Sequence, residues 1–543
     1  AGRRGAAGGL MLATDTAHAG RYLAFTSDAE WSRGLVDRFP LSWAGKLLNA
    51  WRTSGKPRQA RNLEHLARCT AIRRAEAAGL PADAGDGELR AEADKSARDM
   101  VRRLGRVEIL AQVSTFAPEE SKRPGHVARL SMLGQVLEAW HWLDGRGLLA
   151  FWPAGKDMPI RSMLKRVCDP AWWRRVLRRA HAQAVESTAR AIGLVSKRAG
   201  CYASDEACKR RAGQVARNAR SLASVEAVNA DTGQAYTLAD LASRGTANKE
   251  IRRNELMTRI AGFELIARDC GHVAAMATMT CPARMHAVRT RPGRTFEVEE
   301  NRTWDGTRPD EAQRYLAKTW ARFRAAADRR GLDLYGFRIA EPNHDGTPHW
   351  HAILFFPAVV KSGAAGLDCL LSLLRRYFLA DSPDERGADA HRVKVEAIDW
   401  ARGSAAGYVA KYIAKNIDGA NIERDLYGNE APAASQRVEA WATTWRIRQF
   451  QQIGGAPVGI WRELRRLNTE QAAAAPAVGL MLDAVNVVSN AGELHSDAVK
   501  LHTAAHGWAT YLELQGGHRV PRRLLRVRLL KEQSGEVGKY GEV

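Results

Sequence analysis

The sequence has little of what holds disulfide-rich or membrane proteins together. Its 543 residues contain seven cysteines, Cys69, Cys168, Cys201, Cys208, Cys270, Cys281 and Cys369, an odd number at scattered spacings with no CxxC pair. That pattern excludes a disulfide framework and reads as the reduced thiols of an intracellular, cytoplasmic protein. Cys201 and Cys208 are at most half of a zinc site, because no second close pair completes it. No stretch of about 18 uncharged apolar residues occurs, which excludes an ordinary membrane-spanning helix, and no membrane partner is expected. The GxxxxGK[ST] signature is absent, so no nucleotide-driven motor is visible in the chain. No repeat of fixed period is evident.

Acidic residues are the scarcer charge. The 82 Lys and Arg outweigh 60 Asp and Glu, a formal charge of +22 spread along the chain rather than gathered in one tail. An excess of that size points to a polyanionic partner, DNA or RNA first, with the Arg-raising effect of a GC-rich genome as the bland alternative. The 45% of hydrophobic residues suffices for real cores, and the length suggests several domains. The opening "AGRRGAAGGLMLATDTAHAG" mimics an export signal in its Arg pair, but its apolar core is short and Gly-rich. It reads as a flexible start, and a chain beginning at Ala1 rather than Met suggests that the true start is missing or processed.

Three regions are expected. Residues 1–265 read as a mostly helical, basic region suited to DNA binding: in "SWAGKLLNAWR", "LSMLGQVLEAWHWL" and "PAWWRRVLRRAHAQAVESTARAIGLV", apolar residues recur every three or four positions with Arg and Lys between them. Trp172 and Trp173 there are read as core anchors rather than base-stacking platforms. Residues 266–425 change pattern, with "HVAAMATMTCP" and "HRVKVEAIDW" as strands. A helix is expected over 308–329, with Thr307 as cap and Leu316, Trp320, Phe323 and Ala327 facing the core. Further helices are expected around "LDCLLSLLRRYFL" and, capped near Ser404, through "AAGYVAKYIAKN" to a stop before Gly419. Residues 426–543 read as a helical, basic region with a linker at "TEQAAAAPAVG", and the tail "RVPRRLLRVRLLKEQ" is either a solvated helix or a further DNA contact. The fold class is α+β, an antiparallel sheet flanked by helices.

In "EPNHDGTPHWHAILFF" (341–356), His349 and His351 stand two apart on a strand, so both point to one face and Trp350 to the other. Two such imidazoles can chelate a divalent cation, and Glu341, on the strand paired across the "NHDGT" turn, would supply a carboxylate and leave the remaining coordination positions to substrate. A strict two-residue Asp345-Gly346 turn would put Glu341 opposite Trp350, on the wrong face. An odd-numbered loop or a bulge is therefore expected, bringing Glu341 opposite His349 or His351. His344 is a fallback ligand and more naturally a turn residue. Downstream, Tyr408 and Tyr412 are four apart and share one helix face, and Lys411 and Lys415 share the next. Alone, this helix would be an ordinary amphipathic one. Beside a cation, a Tyr oxygen becomes a competent nucleophile toward phosphorus.

Together these motifs resemble the HUH endonucleases, specifically the two-tyrosine rolling-circle replication initiators, and more closely the bacteriophage replication gene A protein family. The stretch "TWDGTRPDEAQRYLAKTWARFR" followed by "YGFRIAEPNHDGTPHWHAILFF" looks like that family's core, and "MATMTCP" is similar to the first motif of these initiators. The resemblance is strong over 303–416 and useful over about 165–420. It implies that His349, His351 and Glu341 hold Mg²⁺ or Mn²⁺ against the scissile phosphate of origin DNA, single-stranded at the nick. Tyr408 and Tyr412 would attack in turn, each forming a 5′-phosphotyrosyl link and freeing a 3′-OH primer. Lys411 or Lys415 would neutralise a phosphate oxygen or lower a phenol pKa, and a host replicative helicase would unwind the duplex. The competing readings are a plasmid or conjugative relaxase of the same chemistry, expected to carry its motifs nearer the N-terminus, a metal-dependent hydrolase without a covalent step, and a non-enzymatic DNA-binding protein built on a closed four-ligand zinc site.

Overall fold

The computed structural model of the chain describes residues 27–37, 39–74, 80–113, 124–153, 158–290, 298–417, 419, 430–467, 476–490, 497–529 and 539–540. The expected flexible start and most of the expected linker at 469–479 lie outside these residues. Pro476, assigned to that linker, instead opens a helix.

The chain divides into two compact units, Ala1–Leu194 with Gly535–Val543, and Val195–Ser534. The first unit is helical: Asp28–Val36 (α1), Leu41–Arg52 (α2), Arg58–Arg74 (α3), Asp86–Val113 (α4), Pro124–Gly145 (α5), Ile160–Val167 (α6) and Pro170–Ala191 (α7). Local chemistry sets the start of α7, where Asp169 accepts from the Ala171 amide and Pro170 occupies the first turn. Trp173, fully buried with Met100 and Leu143, meets Trp142 and Trp172 edge-on and donates its indole N–H to the Val167 carbonyl at 2.6 Å. Trp172 and Trp173 are thus core anchors, as expected.

The second unit opens with helix Asp205–Ala223 (α8), the hairpin Glu226–Val228 (β1) and Ala235–Thr237 (β2), and helices Leu238–Ser243 (α9) and Lys249–Asp269 (α10). Then follow His272–Met279 (β3), the short pair Val288–Thr290 (β4) and Val298–Glu300 (β5), Pro309–Arg329 (α11), Tyr335–Pro342 (β6), Pro348–Pro357 (β7), Gly366–Phe378 (α12), Ala388–His391 (α13) and Val393–Ala397 (β8). Ala405–Ile417 (α14), Ala431–Trp445 (α15), Phe450–Ile453 (β9), Val458–Leu464 (α16), Pro476–Asn490 (α17) and Asp497–Leu514 (α18) complete it. Five strands form one antiparallel sheet in the order β8-β3-β7-β6-β9.

Helices cover both faces, so the central strand β7 reads as an almost unbroken apolar run after His351. One face buries Ala277, Trp350, Ala352 and Leu354 against Leu316, Trp320 and Phe323 of α11, Leu370 and Leu373 of α12, and Trp441 of α15. The other buries Met276, Phe337, Ile339, Ile353 and Phe355 against Ile260 and Phe263 of α10, Val409 and Ile413 of α14, and Trp508 of α18. Gly336 sits at φ +140° where β6 runs tightly against β7, and a Cβ there would collide with the Ile353 carbonyl oxygen.

Three expectations change. The 265/266 and 425/426 boundaries do not coincide with the compact units, because α10 supplies one cover of the sheet and β9, from the region read as helical, supplies its edge. Thr307 does not cap α11: its amide and hydroxyl go to Asp305, and the Glu311 carboxylate accepts from the Arg308 amide at 2.9 Å. The basic tail forms a single 3-10 turn, Arg522–Leu524, with Leu525 buried against the sheet's core, and not a longer helix over the residues described.

The register of the β6–β7 hairpin is the expectation that mattered most. Glu341 pairs with His349 and Pro342 with Pro348, leaving the five residues 343–347 as an odd-numbered loop. Asp345, fully buried, fastens that loop by accepting from the Ala287 amide (3.0 Å), the Thr347 amide (3.0 Å) and the Thr347 hydroxyl (2.8 Å). Gly346 takes φ +79° and its carbonyl accepts from the Trp441 indole at 2.7 Å. Asp345→Ala strands these donors in the interior and is expected to lower unfolding free energy by about 3 kcal/mol in urea titrations, against under about 0.5 kcal/mol for an exposed control such as Asp384→Ala.

Candidate active site

Strand alternation places the site. Because Trp350 points into the α11 side of the sheet, His349 and His351 must face the α14 side, and their register brings Glu341 and Thr278 to the same face. The two imidazole Nε2 atoms are 2.9 Å apart, and Glu341 Oε2 lies 3.9 Å from that of His349 and 3.7 Å from that of His351. These three residues form the one group of three or more His, Cys, Asp or Glu side chains among the described residues with ligand atoms clustered within 4.8 Å. Glu341 is fully buried and the imidazoles nearly so. Burial first, then the neighbouring His351 and Lys415 charges, hold the His349 imidazole well below its ordinary pKa, so it is neutral and keeps one unprotonated ring nitrogen able to ligate.

The donor set fits a divalent cation. Adjacent ligands of an octahedral ion bound at about 2.1 Å lie about 3 Å apart, the spacing of the two Nε2 atoms. Thr278 Oγ1, 3.0 Å from His351 Nδ1, fixes that ring so that Nε2 points into the cluster. No fourth Cys, His, Asp or Glu joins the group among the described residues, so the ligand set leaves positions open, unlike a closed structural zinc site. His344, the fallback ligand, is instead a buried turn residue whose carbonyl accepts from the Tyr202 amide, and burial pushes its imidazole down to about 4.

Helix α14 brings the tyrosines to this face. Ser404 Oγ accepts from the Gly407 amide, and the buried Glu264 of α10 accepts from the Ala406 amide. Gly419, at φ +73°, closes the C-terminal end by donating to the Ala414 carbonyl. Tyr412 lays its ring on His351, centroids 4.3 Å apart, while Tyr408, one turn earlier, is exposed. Lys415 is buried with Nζ 3.3 Å from Glu341 Oε2 and 5.3 Å from the Tyr202 ring. The side chain of Lys411 lies outside the described residues. Burial, and then the Glu341 and Glu396 charges, raise the Tyr412 phenol above its usual range, the reverse of the lowering expected from the lysines; Lys415 faces Glu341 instead.

Several residues of the site were not foreseen. Asn416 donates both to Glu341 Oε1 and to the Tyr412 carbonyl, and its Oδ1 accepts from Gln449 at 3.2 Å. Its signal was present, since Tyr408, Tyr412 and Asn416 keep one four-residue spacing. Thr278 lies in the "MATMTCP" strand, whose place beside His351 depends on sheet order. Tyr202, buried and at φ +75°, had no signal at all.

This arrangement coincides with the residues 154–420 matched by the family model described as bacteriophage replication gene A protein. The chain belongs to that family. It is 37% identical over 392 residues to the replication gene A protein of Escherichia phage 186, covering 70% of this chain and 52% of that one. It is 34% identical over 387 residues to the replication gene A protein of Escherichia phage P2 (70% and 48%), and 34% identical over 395 residues to a protein of Salmonella paratyphi A named "Probable replication endonuclease from prophage-like region" (70% and 46%). The chain thus spans about half the length of the curated relatives it matches. No solved structure matches it. Among the described residues, no helix is long and apolar enough to cross a membrane.

Proposed function

We propose that this gene A family chain is a phage or prophage replication initiator that nicks origin DNA by tyrosine transesterification and later rejoins the strand. The observation that carries the reading is the Tyr412 ring packed on His351, itself within the Glu341–His349–His351 cluster. The family membership and the word endonuclease in the names of several relatives support it.

Glu341, His349 and His351 would hold Mg²⁺ or Mn²⁺, which supplies the positive charge that makes the scissile phosphorus electrophilic. Thr278 keeps His351 in one ring orientation, and Asn416 and Lys415 hold Glu341. A tyrosine oxygen loses its proton and bonds to phosphorus, the bond to the 3′-oxygen breaks, and that oxygen takes up a proton to become the 3′-OH primer. The bond energy stays in the 5′-phosphotyrosyl link, so rejoining needs no nucleotide. Two phenols on one helix face let the chain stay attached through one cut while the second tyrosine makes the next. The single-stranded substrate implies a host helicase as partner, in the host cytoplasm.

The test is incubation of the protein with Mg²⁺ or Mn²⁺ and origin-containing DNA, supercoiled and single-stranded. Nicked circles and protein–DNA adducts that migrate freely after protease digestion are expected. Cleavage that leaves a free 5′-phosphate and no adduct would overturn the covalent mechanism in favour of simple hydrolysis.

A further inference from the structure

The same sheet carries a second feature that the chemistry above does not use. Arg338 of β6 lies on the α11 face, 94% buried by its 6% exposure, with its guanidinium 3.5 Å from the centroid of the Trp350 ring. One terminal nitrogen donates to Gln451, its register partner on β9, and its buried Nε has no partner. Buried arginines are ordinarily matched to a carboxylate. Trp320 of α11 meets the same Trp350 ring edge-on with centroids 6.2 Å apart, which places Arg324, one helical turn further on, on this side of the sheet, and Arg448 stands three residues before Gln451. Burial, and then the charges of these two arginines, push Arg338 down to about 10, still protonated at neutral pH. Among the described residues no ion pair involves any of these three arginines, and no carboxylate charge acts on Arg338.

Arg448 stands where α15 passes into the edge strand β9, exposed, with Nε 3.2 Å from the Phe450 carbonyl. Its charge acts on Arg338 on one face of the sheet and on Arg259 on the other. Arg259 stacks on Phe337 and Arg252 on Phe450, both on the face that carries the His–Glu cluster. Arg259 is offset by Glu255 at 3.6 Å, so the uncompensated charge at the β9 edge is that of Arg448. One residue on, Gln449 reaches the Asn416 that holds Glu341. Along β6, Arg338 and Glu341 are about 10 Å apart at about 3.3 Å per residue.

We propose that Arg324, Arg338 and Arg448, with Gln451, form a seat for backbone phosphates of a single DNA strand that rounds the β9 edge on its way to the His–Glu cluster. The proposal rests on the reading of this chain as acting on single-stranded DNA. Guanidinium forks suit phosphodiester oxygens, and a run of unopposed arginines fits a strand read by its backbone rather than by its bases. Arg338, held rigid on Trp350, is the fixed element; Arg324 and Arg448 are the exposed ones that close on the phosphate.

The measurement is the affinity of the full chain for a short labelled single-stranded oligonucleotide, with EDTA present so that no cleavage occurs, over a range of salt. Arg324→Gln/Arg448→Gln is expected to weaken binding about tenfold near 0.1 M salt and to flatten the slope of log affinity against log salt by about 1.4, two lost phosphate contacts on a single strand. Arg329→Gln/Arg330→Gln, at the C-terminal end of the same helix α11, is the control and leaves affinity and slope unchanged. Arg338→Gln adds to the first loss if it folds, and the exposed pair decides the matter if it does not. Unchanged oligonucleotide affinity and slope in the exposed pair would overturn the proposal. So would binding of inorganic phosphate that is lost in that pair while oligonucleotide affinity is retained, since this would mark a free-anion site. Absence of protein–DNA adducts in the wild type, with arginine-dependent oligonucleotide affinity intact, would sink the tyrosine mechanism and leave the seat standing.

Discussion

Replacing Tyr408 and Tyr412 together by Phe is expected to abolish both nicking and adduct formation, a loss of at least about a thousandfold, with folding and oligonucleotide affinity unchanged. Each substitution removes one oxygen. The Tyr412 ring packs on His351 through its face, which Phe reproduces, and Tyr408 is exposed, so neither change opens a cavity. The single variants are expected to differ. Because Tyr412 lies at the cluster, it is expected to make the first cut, so that its Phe variant yields no adduct on a single-stranded substrate. Tyr408, one turn away, is expected to act second, so that Tyr408→Phe still forms one adduct but does not transfer the strand. Gel-resolved adducts and circular single-stranded product separate these outcomes. Adducts persisting in the double variant would sink the assignment of both tyrosines.

Removing the cluster's imidazoles in His349→Ala/His351→Ala is expected to cost about 10³-fold or more in nicking, the several kcal/mol that a cation's charge contributes to a phosphoryl transition state. Chelation of wild-type protein should reproduce the loss, and Mg²⁺ or Mn²⁺ should reverse it only in the wild type. Glu341 needs a gentler substitution. Glu341→Ala would leave the buried Lys415 ammonium without its carboxylate and cost on the order of 3 kcal/mol of stability, confounding any activity loss. Glu341→Gln keeps the hydrogen-bonding shape, and a large activity loss with a modest fall in Tm would assign the carboxylate to the cation. Nicking that survives in the double histidine variant would remove the metal centre from the mechanism.

What was legible in the sequence was local. The two-residue period of "HWHAILFF" gave the shared face of His349 and His351, and the argument that Glu341 needed an odd loop rested only on strand geometry; the pairing of Glu341 with His349 bears it out. The stripe Leu316, Trp320, Phe323 and Ala327 is buried as its spacing required. What escaped was non-local. Thr278 meets His351 because β3 lies beside β7, a neighbourhood set by sheet order across a sequence separation of 73. Lys415 reaches Glu341 across 74 residues, and from its own helix it looked like a residue for phosphate. Helix α10 was assigned to the helical first half because periodicity reports that a helix has an apolar stripe, not which core that stripe joins. β9 has four residues, too few to show alternation, and its identity as a strand comes from its partner β6.

Any open sheet has two margins where backbone amides and carbonyls lack a neighbouring strand, and such margins invite another copy of the chain to add itself. Here both are short. β8 turns Lys394 and Glu396 outward along one margin, and β9 has only four residues and is led in by the exposed Arg446 and Arg448. A second strand approaching the β9 margin would have to bring its backbone up against the exposed guanidinium groups of Arg446 and Arg448. If the arginines of this edge seat a nucleic-acid strand as proposed, the same side chains would also disfavour the addition of a second copy's strand.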